Sequence, residues 1–180
     1  MSDSEFERSL SEFEQNLLAL RKEKLKAIEA LGQSAYPNRF PAPAEDGQAK
    51  EVEFISKIRE EWKDVPAEKL NGTPEEPIAD DKRIRVAVAG RIMAIRAQGK
   101  AGFATLQQNG ARLQIYVRQD AVGEQGYALY KLLDLGDHIG VTGYLFITRT
   151  GELTIHVETL TFLSKAMLAL PEKFHGLSDV

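Results

Sequence analysis

The sequence predicts a small β-barrel of five strands preceded by two helices. Between residues 4 and 31, apolar side chains recur at three- and four-residue steps, which is typical of an amphipathic helix. From Arg83 onward the period becomes two, which is typical of strands with one buried face. Short turn signals divide this second half into five segments, and one of them, Asn109-Gly110, is a strong hairpin signal.

The N-terminal part contains the two predicted helices. The first covers residues 4–31 and ends at Gly32, and the second runs from Lys50 to Trp62. Prolines predict an irregular connection between the helices, at Pro37, Pro41 and Pro43. Residues 63–81 are predicted to form a loop or linker. The basic residues near the end of the first helix are interpreted as a solvated helix end rather than a nucleic-acid contact: Arg21, Lys22, Lys24 and Lys26.

The second half divides into strands at about 84–97, 101–108, 111–119, 137–148 and 152–163. A short, mildly helical segment lies between the third and fourth strands. Five strands with a helix after the third predict a closed Greek-key barrel of the OB type, with a small open β-sandwich as the alternative. The predicted organisation is a helical extension and linker at 1–82, a barrel domain at 83–165 and a linker at 166–180.

Charge is distributed unevenly along the chain. From Lys82 to Gln119 there is no acidic residue and there are eight Lys and Arg, although the net charge of the whole chain is -4. A cationic band on an acidic protein indicates a local anionic partner. Basic strands that carry an outward aromatic ring suit single-stranded nucleic acid, because cations hold phosphates and the ring stacks on a base.

Strand alternation assigns residues to the two faces of the barrel. In the third strand Leu113 and Ile115 share the apolar side, so Gln114 and Tyr116 point outward. Phe103 alternates with small or apolar neighbours in the paired strand, and is therefore expected on the same outer face. Two interpretations of this ring remain open: it stacks on a base, or it folds over the barrel end and packs on the N-terminal helix.

Three charged residues complete the predicted interface. Arg96 and Lys100 flank the first hairpin turn, and such loops border the binding groove of OB-folds. Glu152 beside a cationic groove would repel phosphate. It is interpreted as an acceptor for a base N–H or, preferably, as the partner of Arg149 or another nearby Arg.

Other classes of function lack support in the sequence. The chain has no cysteine, its acidic N-terminus is no signal peptide, and no apolar run approaches the length of a membrane span. The histidines are scattered without metal-ligand spacing, and no phosphate loop or nucleophile elbow is present. No catalytic or metal-binding residue is predicted, and a cytoplasmic location is expected.

Five segments together resemble the bacterial, class II lysyl-tRNA synthetase family: EALGQSAYPNRF, VAVAGRIMAIRAQGKAGFATLQ, RLQIYV, DLGDHIGVTGYLFITRTGELTIHV and LPEKFHGLSD. The resemblance implies an anticodon-binding OB domain preceded by helices. It implies that Phe103 stacks on the central anticodon uridine and that Gln114 hydrogen-bonds a base. It further implies that Arg96 and Glu152 help to frame the anticodon.

The same resemblance carries expectations about partners and activity. It implies binding of the lysine tRNA anticodon stem-loop, and a homodimer for the full-length enzyme. The family usually has Arg-Pro where this chain has Leu168-Ala169, a difference that concerns the hinge toward the next domain. The family's catalytic domain would begin where the chain stops, at Val180, so ATP and magnesium are expected only there and this chain alone is expected to be inactive. The rival interpretations are a stand-alone single-strand binder and a subunit-interaction module.

Overall fold

The computed structural model describes residues 3–37, 40 and 51–168. The helices are α1 (Asp3–Ser9), α2 (Glu12–Ala30), α3 (Ile55–Trp62), α4 (Ala67–Asn71) and α5 (Gln119–Leu132), and a 3-10 turn covers Asp80–Lys82. The strands are β1 (Arg85–Gln98), β2 (Ala101–Gln108), β3 (Ala111–Arg118), β4 (His138–Ile147) and β5 (Leu153–Ser164). The predictions at Pro41, Pro43, Lys50 and the linker beyond Leu168 lie outside the described residues.

The strands form a closed barrel in the order β1-β2-β3-β5-β4. All neighbouring strands are antiparallel except β3 and β5, which run parallel and close the barrel. The predicted OB-type barrel is therefore confirmed, and the open sandwich is wrong. Alternation fills the interior with branched and aromatic side chains from every strand, among them Val88, Leu106, Ile115, Ile139, Val157 and Phe162.

The strand bounds agree with the predicted ones to within about two residues. The turn between β2 and β3 has the backbone conformation that the Asn109-Gly110 pair predicts. Asn109 and Gly110 have φ angles of 47° and 80°, and both therefore lie in the left-handed region. A two-residue turn of this kind matches the twist of the flanking strands and favours the Asn-Gly pair.

The prediction of a single helix over residues 4–31 is wrong, because the helix is interrupted between Ser9 and Glu12. Ser11 caps the start of α2: its hydroxyl accepts a hydrogen bond from the Glu14 N–H at 3.3 Å. The Glu14 carboxylate in turn accepts one from the Ser11 N–H at 2.9 Å. This reciprocal capping box satisfies two otherwise unpaired donors and starts a new helix.

The other N-terminal elements also differ from prediction. The second helix starts at Ile55, its first buried position, and the predicted loop at 63–81 contains α4 and the 3-10 turn. The helices share one hydrophobic cluster with the barrel, to which they contribute Ile28, Ile55, Ile58 and Leu70. Asn71 adds a paired contact, since its side chain donates to the Ile147 carbonyl and accepts from the Ile147 N–H.

The basic residues predicted to form a solvated helix end do not lie in the last turn of α2, and three of them have partners within the protein. Arg21 is buried and donates to the carbonyls of Ala166 and Leu168, Lys22 pairs with Glu7, and Lys24 pairs with Asp134. These contacts anchor α2 to neighbouring parts of the protein.

Candidate nucleic-acid interface

The outer face of β1, β2 and β3 brings most of the predicted site residues together. Arg96 pairs in register with Phe103, and Phe103 pairs with Tyr116 on the next strand. One step along, Thr105 pairs with Gln114. The registers and the buried positions of Gly102 and Ala104 place Phe103 outside the barrel, as alternation predicted.

The ring of Phe103 stacks on Tyr116, with ring centroids 4.6 Å apart and an angle of 28° between the planes. Among the described residues, the aromatic partner of this ring is therefore a residue of the neighbouring strand. A cavity of about 350 Å³ opens beside this pair and is lined by Arg96, Gln98, Ala101, Gly102, Phe103 and Tyr116. This cavity, which we call the Phe103 cavity, therefore offers an aromatic ring and a cation, the two groups that hold an unpaired nucleotide.

Two tyrosines of α5 contact the backbone of the strands that line the Phe103 cavity. The Tyr130 hydroxyl lies 2.7 Å from the Arg96 carbonyl and 3.0 Å from the Phe103 carbonyl, and can donate its single proton to either. Tyr127 contacts the carbonyls of Gly99 and Ala101 in the same hairpin, at 2.9 and 3.1 Å. Burial raises the pKa of Tyr130, so its hydroxyl remains a donor.

Gly102 is required by this arrangement. A Cβ at this position would lie 2.7 Å from the Tyr130 hydroxyl oxygen, which is closer than real Cβ atoms come. The absent side chain therefore lets α5 pack directly under the strand that carries Phe103. The sequence predicts a short helix here but gives no indication of these contacts, because they join residues 27 to 34 positions apart.

The hydrogen bonds around Gln114 fix the orientation of its amide. Thr154 is fully buried and donates its hydroxyl proton to the Glu152 carbonyl at 3.0 Å. Its oxygen can therefore only accept from Gln114, whose Nε2 lies 3.1 Å away. The amide oxygen of Gln114 has no hydrogen-bond partner within the described part of the chain and remains an acceptor.

Glu152 pairs with Arg59 of α3, a residue that sequence analysis missed. Arg59 Nη1 lies 3.2 Å from Glu152 Oε1 and 3.1 Å from the Arg112 carbonyl. The ion-pair interpretation is therefore confirmed, and the nearby arginine is Arg59. No local pattern marked Arg59, because it is 93 positions from its partner.

Arg59 extends the interface into a second cavity of about 630 Å³. Its lining contains four charged or amide side chains, namely Arg59, Arg112, Gln114 and Glu152. The N-terminal extension therefore contributes one lining residue, Arg59, to the cavity that Gln114 also lines.

Lys100 occupies the opposite edge of the face. It lines a separate cavity of about 420 Å³ with Tyr116, Arg118 and Asp120. Arg118 is paired with Asp120 at this edge. The predicted residues thus line three cavities, with Lys100 at the first, Arg96 and Phe103 at the second, and Gln114 and Glu152 at the third.

Comparisons with known proteins agree with this geometry. Residues 86–163 match the tRNA anticodon family, described as an OB-fold nucleic acid binding domain. The chain is also similar to lysine–tRNA ligases, which confirms the resemblance noted in the sequence.

The similarity to these ligases covers nearly the whole chain. The protein is 41% identical to the ligase of Dechloromonas aromatica over 179 residues, which is 99% of this chain and 32% of the relative. It is 41% identical to the ligase of Lysinibacillus sphaericus over 163 residues, or 91% of this chain and 29% of the relative. For Streptococcus thermophilus the identity is 42% over 161 residues, or 89% and 29%. The chain thus spans about three tenths of the length of these relatives.

Among the described residues, no helix is both long enough and apolar enough to cross a membrane.

Proposed function

We propose that this chain is the anticodon-binding part of a lysine–tRNA ligase, and that it binds the U-rich lysine anticodon loop in single-stranded form. The observation that carries the proposal is the Phe103 cavity, which Arg96 and Phe103 line, together with the Gln114 acceptor on the same outer face. Sequence-specific recognition of RNA usually targets loop bases that can be splayed out and stacked on aromatic rings.

The orientation of Gln114 supports a preference for uracil. Its free amide oxygen can accept from the N3–H of uracil, whereas the N3 of cytosine is itself an acceptor. Phe103 has no such preference, because every base has a face on which a ring can stack. The two residues therefore divide the work: Phe103 supplies affinity and Gln114 supplies discrimination.

The similarity to lysine–tRNA ligases supports the choice of tRNA. The proposal assigns no metal or nucleotide cofactor to the binding step. In this proposal, attachment of lysine, dimer formation and the cytoplasmic location belong to the full-length ligase. A sequence-tolerant single-strand binder is the competing function. It predicts equal affinity for loops of any base composition.

The test measures the dissociation constants of lysine anticodon stem-loops carrying either U or C at the anticodon positions. Phe103→Ala should weaken binding to both loops by about 1–3 kcal/mol, the usual value of one base stacked on an aromatic side chain. Gln114→Ala should mainly narrow the difference between the two loops.

Phe13→Ala is the matched control, because Phe13 is a well-exposed aromatic residue on α2 and outside the interface. It should leave both constants unchanged. Equal binding of U and C loops by the unmodified protein would contradict the proposal and support the sequence-tolerant binder. A large fall in melting temperature for Phe103→Ala, with affinity unchanged in the folded fraction, would mean that the ring only supports the fold.

A further inference from the structure

Four aromatic side chains form a continuous row across the outside of the barrel. They stand on neighbouring strands: Phe103 on β2, Tyr116 on β3, His156 on β5 and Tyr144 on β4. Each is directly opposite the next in the strand register, so the row runs across the strands rather than along one of them. We call these four residues the aromatic row.

The rings of the aromatic row contact one another in sequence. Phe103 and Tyr116 are stacked at 4.6 Å, and Tyr116 meets His156 edge-on at 5.6 Å. His156 and Tyr144 are stacked at 4.7 Å with only 5° between their planes. Phe146 flanks the middle of the row, 6.1 Å from Tyr116 and 6.2 Å from His156. Paired rings of this kind attract one another beyond their simple burial of surface.

The two ends of the aromatic row differ. At the β4 end, the guanidinium of Arg83 lies over the Tyr144 ring, with Cζ 4.0 Å from the ring centroid. Tyr144 thus has an aromatic partner on one side and a cation over its ring. At the β2 end, Phe103 lines the cavity beside Arg96. The row is closed by Arg83 at one end and open to a further ring at the other.

We infer that Tyr116, His156 and Tyr144 are positioning residues that hold the Phe103 ring in the orientation in which it receives a base. The base becomes the next ring of a stack that is assembled before the RNA arrives. This inference rests on the proposed function, and adds to it residues as far away as β4. A ring held in place before binding loses less rotamer freedom when the ligand arrives, and the loss avoided corresponds to about a two- to tenfold gain in affinity.

Tyr116 is the best position for a test, because its ring touches Phe103 while its hydroxyl makes no hydrogen bond with the described residues. Tyr116→Leu removes the ring, and Tyr116→Phe is the matched control that keeps it. Each change is made in the unmodified protein and in Phe103→Ala. Affinity for the lysine anticodon stem-loop and melting temperature are measured for every variant.

Tyr116→Leu should weaken binding about two- to tenfold in the unmodified protein and have no further effect in Phe103→Ala. Tyr116→Phe should bind the stem-loop with the affinity of the unmodified protein. Tyr144→Leu, at the far end of the aromatic row, should follow the same pattern with a smaller loss, and it provides the same test if Tyr116→Leu does not fold.

Three results would overturn the inference. The first is an equal loss of affinity in both backgrounds, which would mean that Tyr116 acts independently of Phe103. The second is full affinity in both Tyr116→Leu and Tyr144→Leu while Phe103→Ala still weakens binding, which would leave the proposed function intact. The third is an unchanged affinity in Phe103→Ala itself, which would remove the proposed function together with the inference.

Discussion

His156 is the histidine of the aromatic row, and its environment lowers its pKa. Burial lowers its pKa, and the positive charges of Arg118 and Arg83 lower it further, while Asp120 and Glu158 oppose them weakly. Its Nδ1 is buried and has no hydrogen-bond partner among the described residues. A proton on this ring would therefore be placed among cations in a poorly solvated site.

We expect the protein to lose stability as the pH falls below the ordinary histidine pKa of 6.5. In this range the unfolded chain binds a proton at His156 that the folded chain does not, so the free energy of unfolding decreases with decreasing pH. Denaturant titrations between pH 7 and pH 5 should show this slope, and His156→Gln should reduce it. His138, whose pKa is also lowered, keeps some slope in the variant. An identical slope with and without His156 would contradict the assignment.

At the scale of single elements, the capping box of α2 should be worth a measurable part of the stability. Ser11→Ala removes the acceptor for the Glu14 N–H and should lower the free energy of unfolding by about 1 kcal/mol. Ser11→Gly is the matched control. It should lower the free energy of unfolding by only a few tenths of a kcal/mol, since glycine leaves the N–H open to water. Urea titration of the three proteins provides the measurement. Equal losses for alanine and glycine would indicate that the cap does not start the helix.

The strands could be predicted because their signal is local. The inward positions of Gly102 and Ala104 alone placed Phe103 outside, and the alternation of β3 placed Gln114 on the same face. The helix break at Ser11 was missed because the apolar spacing continues across it, although Ser11 and Glu14 have the separation of a capping box.

The missed parts of the site depend on contacts between distant positions. Arg59 reaches Glu152 from another element, and Tyr144 meets His156 only because β4 and β5 pair in one register. His156 gives no signal of its own in the sequence beyond being one of three scattered histidines, since its strand shows only polar alternation. Non-local pairing therefore decides which of several outward residues become neighbours.

At the scale of the whole molecule, a buried ionic network joins α2, the connection before β4 and the chain after β5. Lys165 lies 2.7 Å from Asp134 and 2.6 Å from Asp137, and its side chain is 1% exposed. Asp137 also accepts from the N–H groups of Asp134 and Ala166. Burial opposes ionisation of Asp134, but hydrogen bonds from Lys165 and Lys24 outweigh it and lower its pKa.

Lys165→Met should destabilise the protein strongly, by about 3–5 kcal/mol, because it leaves a buried carboxylate without its cation. Lys63→Met is the matched control: it breaks an exposed ion pair with Glu60, and little change is expected. Thermal unfolding at pH 7 measures both variants. A similar small effect for the two would mean that the network contributes no more than a surface pair.

The parallel junction between β3 and β5 has a consequence for how the barrel opens. These strands meet over three residue pairs, fewer than any other neighbouring strands described, and Gln114 and Thr154 bond across the junction although 40 positions separate them. Because this junction is short and joins residues that are far apart in the sequence, we expect it to form late in folding and to separate early in unfolding. Phe103 and Gln114 lie on one side of it, and Glu152 lies on the other. In the proposed function, an RNA loop that contacts residues on both sides would hold β3 and β5 together, so we expect bound RNA to slow the separation of these strands.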